Sequence, residues 1–185
     1  MQGEDKAFLN LNGLPFITKI SNQMLLVSDD VLVVIGSKDE KRFADNVRGN
    51  VTVAKDKYHF GTPVSGMLTA CELVKHPYIA FVGCDMPLVR AGVIKYLYEC
   101  ALGHSAAVPM WENGQTEPLC SVYNVEKFRE AALHAEKRNA RGCKRVIDFL
   151  QDANFVPVFD LRRIDPNLES LRNINSREDL KSLSL

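Results

Sequence analysis

Apolar positions in this chain come in blocks whose periods switch between strand and helix. Tyr78 to Val82 is a continuous apolar run of strand length, the pattern of a strand buried on both faces between helices in a parallel sheet. Val31 to Ile35 is a second such run, and Val51 to Ala54 a weaker third. Between them, apolar residues at 16, 17, 20, 24 and 25 have helical spacing, and Ser37 with Glu40 forms a capping box for a short polar helix over 38–46. Thr62-Pro63 reads as N-cap and first residue of a helix through Met67, Leu68 and Leu73. Beyond Pro87 the pattern predicts a helix over 92–102, strands Ala106 to Met110 and Leu119 to Tyr123 flanking a turn at Asn113-Gly114, and helices over 125–139 and 142–150. A strand from Phe155 to Phe159 and a terminal helix capped by Ser176 with Asp179 complete the series. Residues 1–15 hold only a short alternation at Phe8, Leu9 and Leu11 and a turn at Gly13-Leu14-Pro15. Strands alternating with helices, with a later antiparallel insertion, predict a single domain over 1–185. Its architecture is a three-layer α/β/α sandwich around a mostly parallel, Rossmann-like sheet.

Composition narrows the function classes. A chain of 185 residues buries a core without disulfide or metal staples. Its 23 basic and 23 acidic residues cancel, which argues against nucleic acid or a membrane surface as partner and leaves small substrates open. No apolar stretch reaches the ~18 residues of a membrane span, and the N-terminus lacks the order of a signal peptide, so the cytoplasm is expected. The five cysteines, at 71, 84, 100, 120 and 143, form no C-x-x-C pair and read as reduced, buried thiols. Cys84 has no histidine near it in sequence and is not read as a nucleophile.

The chemistry gathers at Asp85. A carboxylate directly after a buried strand, with Pro87 ending the ladder, stands where open α/β sheets place their ligand crevice. Mg²⁺ needs only one or two protein carboxylates when substrate phosphates and waters complete its octahedron, so Asp85 alone would serve. The plainer alternative is that Asp85 caps the following turn. No Gly-rich phosphate loop is present in the chain.

Five segments in register resemble the molybdenum cofactor guanylyltransferase family. They are Gly3 to Leu9 with Gly13-Leu14-Pro15, Gly61 to Gly66, Cys84-Asp85-Met86-Pro87, Glu117-Pro118-Leu119, and Asn173-Ile174-Asn175 ahead of Glu178-Asp179-Leu180. The resemblance implies a nucleotidyltransferase fold and transfer of GMP from Mg-GTP to molybdopterin, releasing pyrophosphate and forming the guanine dinucleotide cofactor. It implies Lys6 as the lysine on the nucleotide phosphates, Asp56 as a nucleotide contact, Asp85 as the Mg²⁺ ligand, and Asn173 and Asn175 on the molybdopterin side. For Asp56 a loop carboxylate closing a turn stays open, and for the two asparagines a loop-fixing role. Arg141, Lys144 and Arg145 lie where relatives often carry basic residues, although a solvated helix start is the simpler reading. Other proteins of molybdenum cofactor synthesis and insertion are the expected partners.

Two departures accompany the resemblance. In the family, the segment matching Asp5-Lys6 follows a buried strand and a loop of the form Leu-Ala-Gly-Gly-x-Ser-x-Arg-Met-Gly, and Met1 falls at that loop's methionine. The expectation is a domain incomplete at its N-terminal side relative to the family, with the native start upstream. The second departure is Ile35, where some relatives place an asparagine. Two alternatives remain open: a non-catalytic molybdopterin-binding or delivery module that does not bind GTP, and a related cytidylyl or sugar nucleotidyltransferase.

Overall fold

The computed structural model describes residues 5–36, 39–140, 142–175 and 179–180. A 3-10 turn, Lys6–Phe8, begins at Asp5, whose carboxylate accepts from the Ala7 N–H. Two short strands, β1 (Asn10–Leu11) and β2 (Leu14–Pro15), then form a hairpin. Its two turn residues, Asn12 at φ 55° and Gly13 at φ 81°, take the left-handed conformations such a turn demands.

The rest follows the alternation that the sequence predicts. In order come α1 (Phe16–Met24), β3 (Val31–Ile35), α2 (Glu40–Asn46), β4 (Val51–Lys55), α3 (Val64–Leu73), β5 (Tyr78–Val82), α4 (Ala91–Ala101) and β6 (Ala106–Met110). Then come β7 (Cys120–Asn124), α5 (Val125–Lys137), α6 (Cys143–Ile147), β8 (Ala153–Pro157) and α7 (Val158–Leu161). Strand residues alternate between two helical layers. Ala107 and Val122 pack in a cluster with α4 residues Val93 and Leu97, while their neighbours Ala106, Val108 and Tyr123 pack with Leu68 of α3 and Phe128 of α5. That alternation is the three-layer sandwich.

The sheet is mixed. β3 pairs with β4 in parallel and β6 with β8 in parallel, whereas β7 lies antiparallel between β5 and β6. The turn at Gly114 forms, with the Trp111 N–H donating to the Gln115 carbonyl at 2.8 Å. The β6–β7 pairing nevertheless involves only Ala106 and Ala107, because residues 111–119 loop out toward the end of β5.

Several local expectations are corrected. The polar helix is capped by Asp39, which accepts from the Lys41 and Arg42 N–H groups, so it starts at Glu40; Ser37 lies outside the described residues. The strand expected to reach Phe159 ends at Pro157, which has no N–H to extend the ladder and instead opens α7. Asp179 reaches back to the Asn175 N–H at 2.8 Å, and its predicted capping partner Ser176 is outside the described residues.

The largest correction concerns β5. Predicted to be buried on both faces, its five residues are all only half-buried. The reason is an open edge. β5 pairs with β7 on one side and β3 with β4 on one side, and among the described residues no strand pairs with the edges that face each other. A slot of about 990 Å³ lies between them.

Candidate active site

The carboxyl end of β5 carries Gly83, Cys84 and Asp85 into a tight turn, in which the Met86 N–H donates to the Gly83 carbonyl at 3.1 Å. A side chain at Gly83 would place its Cβ 2.8 Å from Asp85 Oδ1. The turn therefore folds the Asp85 carboxylate back over a bare backbone. The Gly83 N–H donates to the Leu119 carbonyl at 2.8 Å, which ties this turn to the 117–119 loop. The buried Tyr123 hydroxyl holds that loop from beneath by donating to the Pro118 carbonyl at 3.0 Å.

Three segments remote in sequence converge here. Lys6 Nζ lies 3.9 Å from Asp85 Oδ2 and donates to Asn175 Oδ1 at 2.6 Å. The Ile174 N–H donates to the Asp85 carbonyl at 2.7 Å, and the fully buried Ile174 side chain packs with Leu9, Leu11 and Phe16. Asn173 and Asn175 flank it and are both exposed, as alternation along an extended segment predicts. Only Asn175 reaches Lys6. Lys6 and Asp85 keep 38% and 23% of their side chains exposed, so both are open to a ligand while held in place.

Asp56 stands apart from this group. It follows β4, its N–H donates to the Ile35 carbonyl at 2.7 Å, and its Oδ1 accepts from the Tyr58 N–H at 2.9 Å and the Thr69 hydroxyl at 2.7 Å. Oδ1 thus closes a turn and anchors α3, which is the structural alternative expected for it. Asp56 lies on the rim of the slot, with Gly66 of α3 packed beside Oδ2.

Glu117 stands out in the sequence only as part of the Glu117-Pro118-Leu119 motif. Its side chain is almost fully buried and accepts from the indole N–H of Trp111, the chain's single tryptophan, at 2.8 Å. Burial pushes its carboxyl above the ordinary range; the Trp111 hydrogen bond and the Lys144 charge pull it down, and Asp85 raises it. Those influences place Lys144 and Asp85 in its electrostatic neighbourhood. A carboxylate and proline directly ahead of an apolar strand were the available signal. Arg145 instead pairs with Asp148 on the surface at 3.6 Å, and Arg141 lies outside the described residues.

The cysteines are all free. Burial pushes the Cys71 and Cys120 thiols up to about 12 and Cys143 up to about 11, which makes these three poor nucleophiles. Cys84 is exposed rather than buried, because the Gly83 turn carries it out of the strand.

A cation at this site would be held mainly by substrate. Among the described residues no group of three or more His, Cys, Asp or Glu side chains forms a metal cage. One accessible carboxylate beside an ammonium and an amide suits Mg²⁺ bound through nucleotide phosphates, whose remaining positions are waters.

The profile of the MobA-like NTP transferase domain matches residues 1–154. A probable molybdenum cofactor guanylyltransferase of Methanothermobacter thermautotrophicus is 33% identical over 188 residues, covering 97% of this chain and 90% of that protein. A protein of the same name from Natronomonas pharaonis is 31% identical over 180 residues, covering 96% and 87%. Among solved structures, molybdopterin-guanine dinucleotide biosynthesis protein A from Archaeoglobus fulgidus superposes with a TM-score of 0.78 at 23% identity, over 97% of this chain and 89% of that one. The 2-C-methyl-D-erythritol 4-phosphate cytidylyltransferase of Thermus thermophilus superposes with a TM-score of 0.70 at 17% identity, over 97% and 92%. These last two likenesses speak for the fold.

Proposed function

This chain belongs to the MobA-like NTP transferase family, among the molybdenum cofactor guanylyltransferases, and from that premise we infer that it transfers GMP from GTP to molybdopterin. One observation carries the reading: Lys6, Asp85 and Asn175 meet at the carboxyl end of β5, where an α/β sheet offers its ligand crevice.

In this mechanism a terminal phosphate oxygen of molybdopterin attacks the α-phosphorus of GTP in line, and the bond to the bridging oxygen of pyrophosphate breaks. The nucleophile is already anionic, so no side chain has to remove a proton. Lys6 follows the negative charge toward the leaving pyrophosphate; its flexible stem and Asn175 set its reach. Asp85 would hold Mg²⁺, which when bound supplies charge neutralisation at the phosphates. Asp56, on the rim beyond β4, orients the nucleotide through Oδ2, its Oδ1 being committed to the fold. Asn173, exposed beside the anchored Ile174, contacts the pterin, and Asn175 joins it at the junction with the phosphates. Catalysis by positioning and electrostatics requires no covalent intermediate.

No helix among the described residues is long and apolar enough to cross a membrane. The reaction is assigned to the cytoplasm, and the product passes to proteins that insert the cofactor.

The test is incubation with GTP, Mg²⁺ and molybdopterin, with CTP and ATP in parallel, following pyrophosphate release and dinucleotide formation. GTP-selective product supports the reading. Saturable binding of molybdopterin by a folded protein that binds no GTP replaces it with a carrier role, and a preference for CTP moves the assignment to a cytidylyltransferase.

A further inference from the structure

Glu117 is fixed from every side except at one oxygen. Its N–H donates to the Pro109 carbonyl at 3.0 Å, and its own carbonyl accepts from the Cys120 N–H at 3.1 Å and the Ser121 hydroxyl at 2.6 Å. Oε1 accepts from the Trp111 indole at 2.8 Å. Among the described residues, the buried side-chain atoms that lack a hydrogen bond are Ser105 Oγ and Asp165 Oδ1. Glu117 Oε2 accepts no hydrogen bond from a described residue and is not one of these, so the 9% of Glu117 that stays exposed includes that oxygen. Burial pushes the carboxyl up, which makes its charge a cost to the fold. A neutral amide would accept from the indole equally well, and carboxylates held under such a cost cluster at functional sites.

The place of Glu117 in the sheet selects the substrate. Its loop is tied to the Asp85 turn by the Gly83–Leu119 hydrogen bond of 2.8 Å and leads into β7, which pairs with one edge of β5. β3 and β4, with Asp56 after them, lie across the slot from the other edge. Glu117 and Asp56 therefore stand on opposite sides of Asp85. We propose that Glu117 is a specificity residue for the acceptor substrate, its Oε2 accepting from the 2-amino-4-oxo edge of the pterin ring. The inference rests on the transfer reaction proposed above. A pterin presents an amino group and a ring N–H side by side, and a fixed carboxylate oxygen accepts from either. An oxygen in place of that amino group would meet Oε2 as one acceptor meets another. Guanine carries the same edge. The side of Asp85 decides between the two, because the nucleotide is assigned to the Asp56 side and the attacking phosphate has to enter from elsewhere.

The probes are 6-hydroxymethylpterin phosphate and its lumazine counterpart, which has oxygen in place of the amino group, titrated by calorimetry beside GTP and xanthosine triphosphate. The wild type binds the pterin about tenfold or more tighter than the lumazine. Glu117→Gln keeps an acceptor on Trp111 and turns an amide N–H toward the ligand, so this preference disappears or inverts, while the ratio of GTP to xanthosine triphosphate affinity stays as in the wild type. A residue serving only the fold would move neither ratio. Equal affinity of the wild type for pterin and lumazine, binding of neither, or an unchanged preference in a folded Glu117→Gln protein overturns the proposal. A shift in the nucleotide ratio with the pterin ratio unchanged gives the residue to guanine and overturns the pterin assignment. GMP transfer by the wild type is read separately: discrimination between the pterins without dinucleotide product refutes the reaction and supports the contact.

Discussion

The backbone N–H of Ile174 donates to the carbonyl oxygen of Asp85 at 2.7 Å, so the segment bearing the two candidate asparagines is docked onto the backbone of the candidate metal ligand. The main chain thus holds this segment in position, and the Asp85 carboxylate, facing Lys6 at 3.9 Å, takes no part in that strut. Asp85→Ala keeps the strut and removes the charge. Turnover falls by more than about a hundredfold while Tm changes little. Pyrophosphate release measured beside a thermal melt checks both halves, and near-normal rates would sink the metal assignment.

Lys6→Ala removes an ammonium that, among the described residues, donates to the Asn175 amide and faces the Asp85 carboxylate. Nucleotide affinity drops by roughly ten- to a hundredfold, the worth of a charge-assisted contact. Calorimetric titration with Mg-GTP reads this directly; unaltered affinity assigns Lys6 to the surface.

The two asparagines separate. Asn175→Ala frees Lys6 and weakens GTP binding by up to about tenfold. Asn173→Ala leaves GTP binding unchanged and weakens molybdopterin binding. Parallel titrations of the two variants with each substrate check the division, which fails if both variants lose the same ligand.

Gly83→Ala drives a methyl group to 2.8 Å from Asp85 Oδ1, and Leu119 Cβ and Met86 Sδ already stand 3.5 Å from it. The carboxylate has to swing away. The Mg²⁺ concentration needed for half-maximal rate rises by roughly tenfold or more, as for loss of an orienting group around a metal. A Mg²⁺ titration of the variant that overlays the wild type contradicts this geometry.

Glu117 gives a pH dependence of stability. Its folded carboxyl sits above the unfolded value of 4.5, chiefly through burial, so the native state holds the proton that the unfolded chain gives up. Stability then falls as pH rises from the unfolded value through the folded one, because the native state binds more protons in that window. Glu117→Gln keeps an acceptor for Trp111 and has no charge to bury, so it is more stable than wild type above the window and equal to it below. Urea unfolding across that range, followed by Trp111 emission, measures the difference; parallel curves at all pH values refute it.

The β-strands and Asp85 are legible in the sequence because apolar runs end abruptly, and Pro87 marks the stop. Lys6 is legible only through resemblance, since a lysine in a 3-10 turn looks like any surface charge. The alternation of Asn173, Ile174 and Asn175 is readable, but which amide meets Lys6 depends on how the segment docks on Asp85. Glu117 and Gly83 are hidden for a related reason. Burial of a carboxylate and the closeness of a folded-back side chain arise from contacts between β5 and the 117–119 loop, which no local pattern records. The half-exposed state of β5 is likewise a property of its edge, unpaired among the described residues, whereas its composition reads as fully buried.

The Lys6–Asn175 contact joins residues 169 positions apart, nearly the whole length of the chain. On the ribosome Lys6 emerges well before its partner, 169 residues earlier. Contacts of such long range form late, after loop closure has been offset by the packed sheet. Synthesis thus separates in time the appearance of Lys6 from that of the amide that fixes it, and a nascent chain that has not reached Asn175 has nothing at that position to hold the lysine.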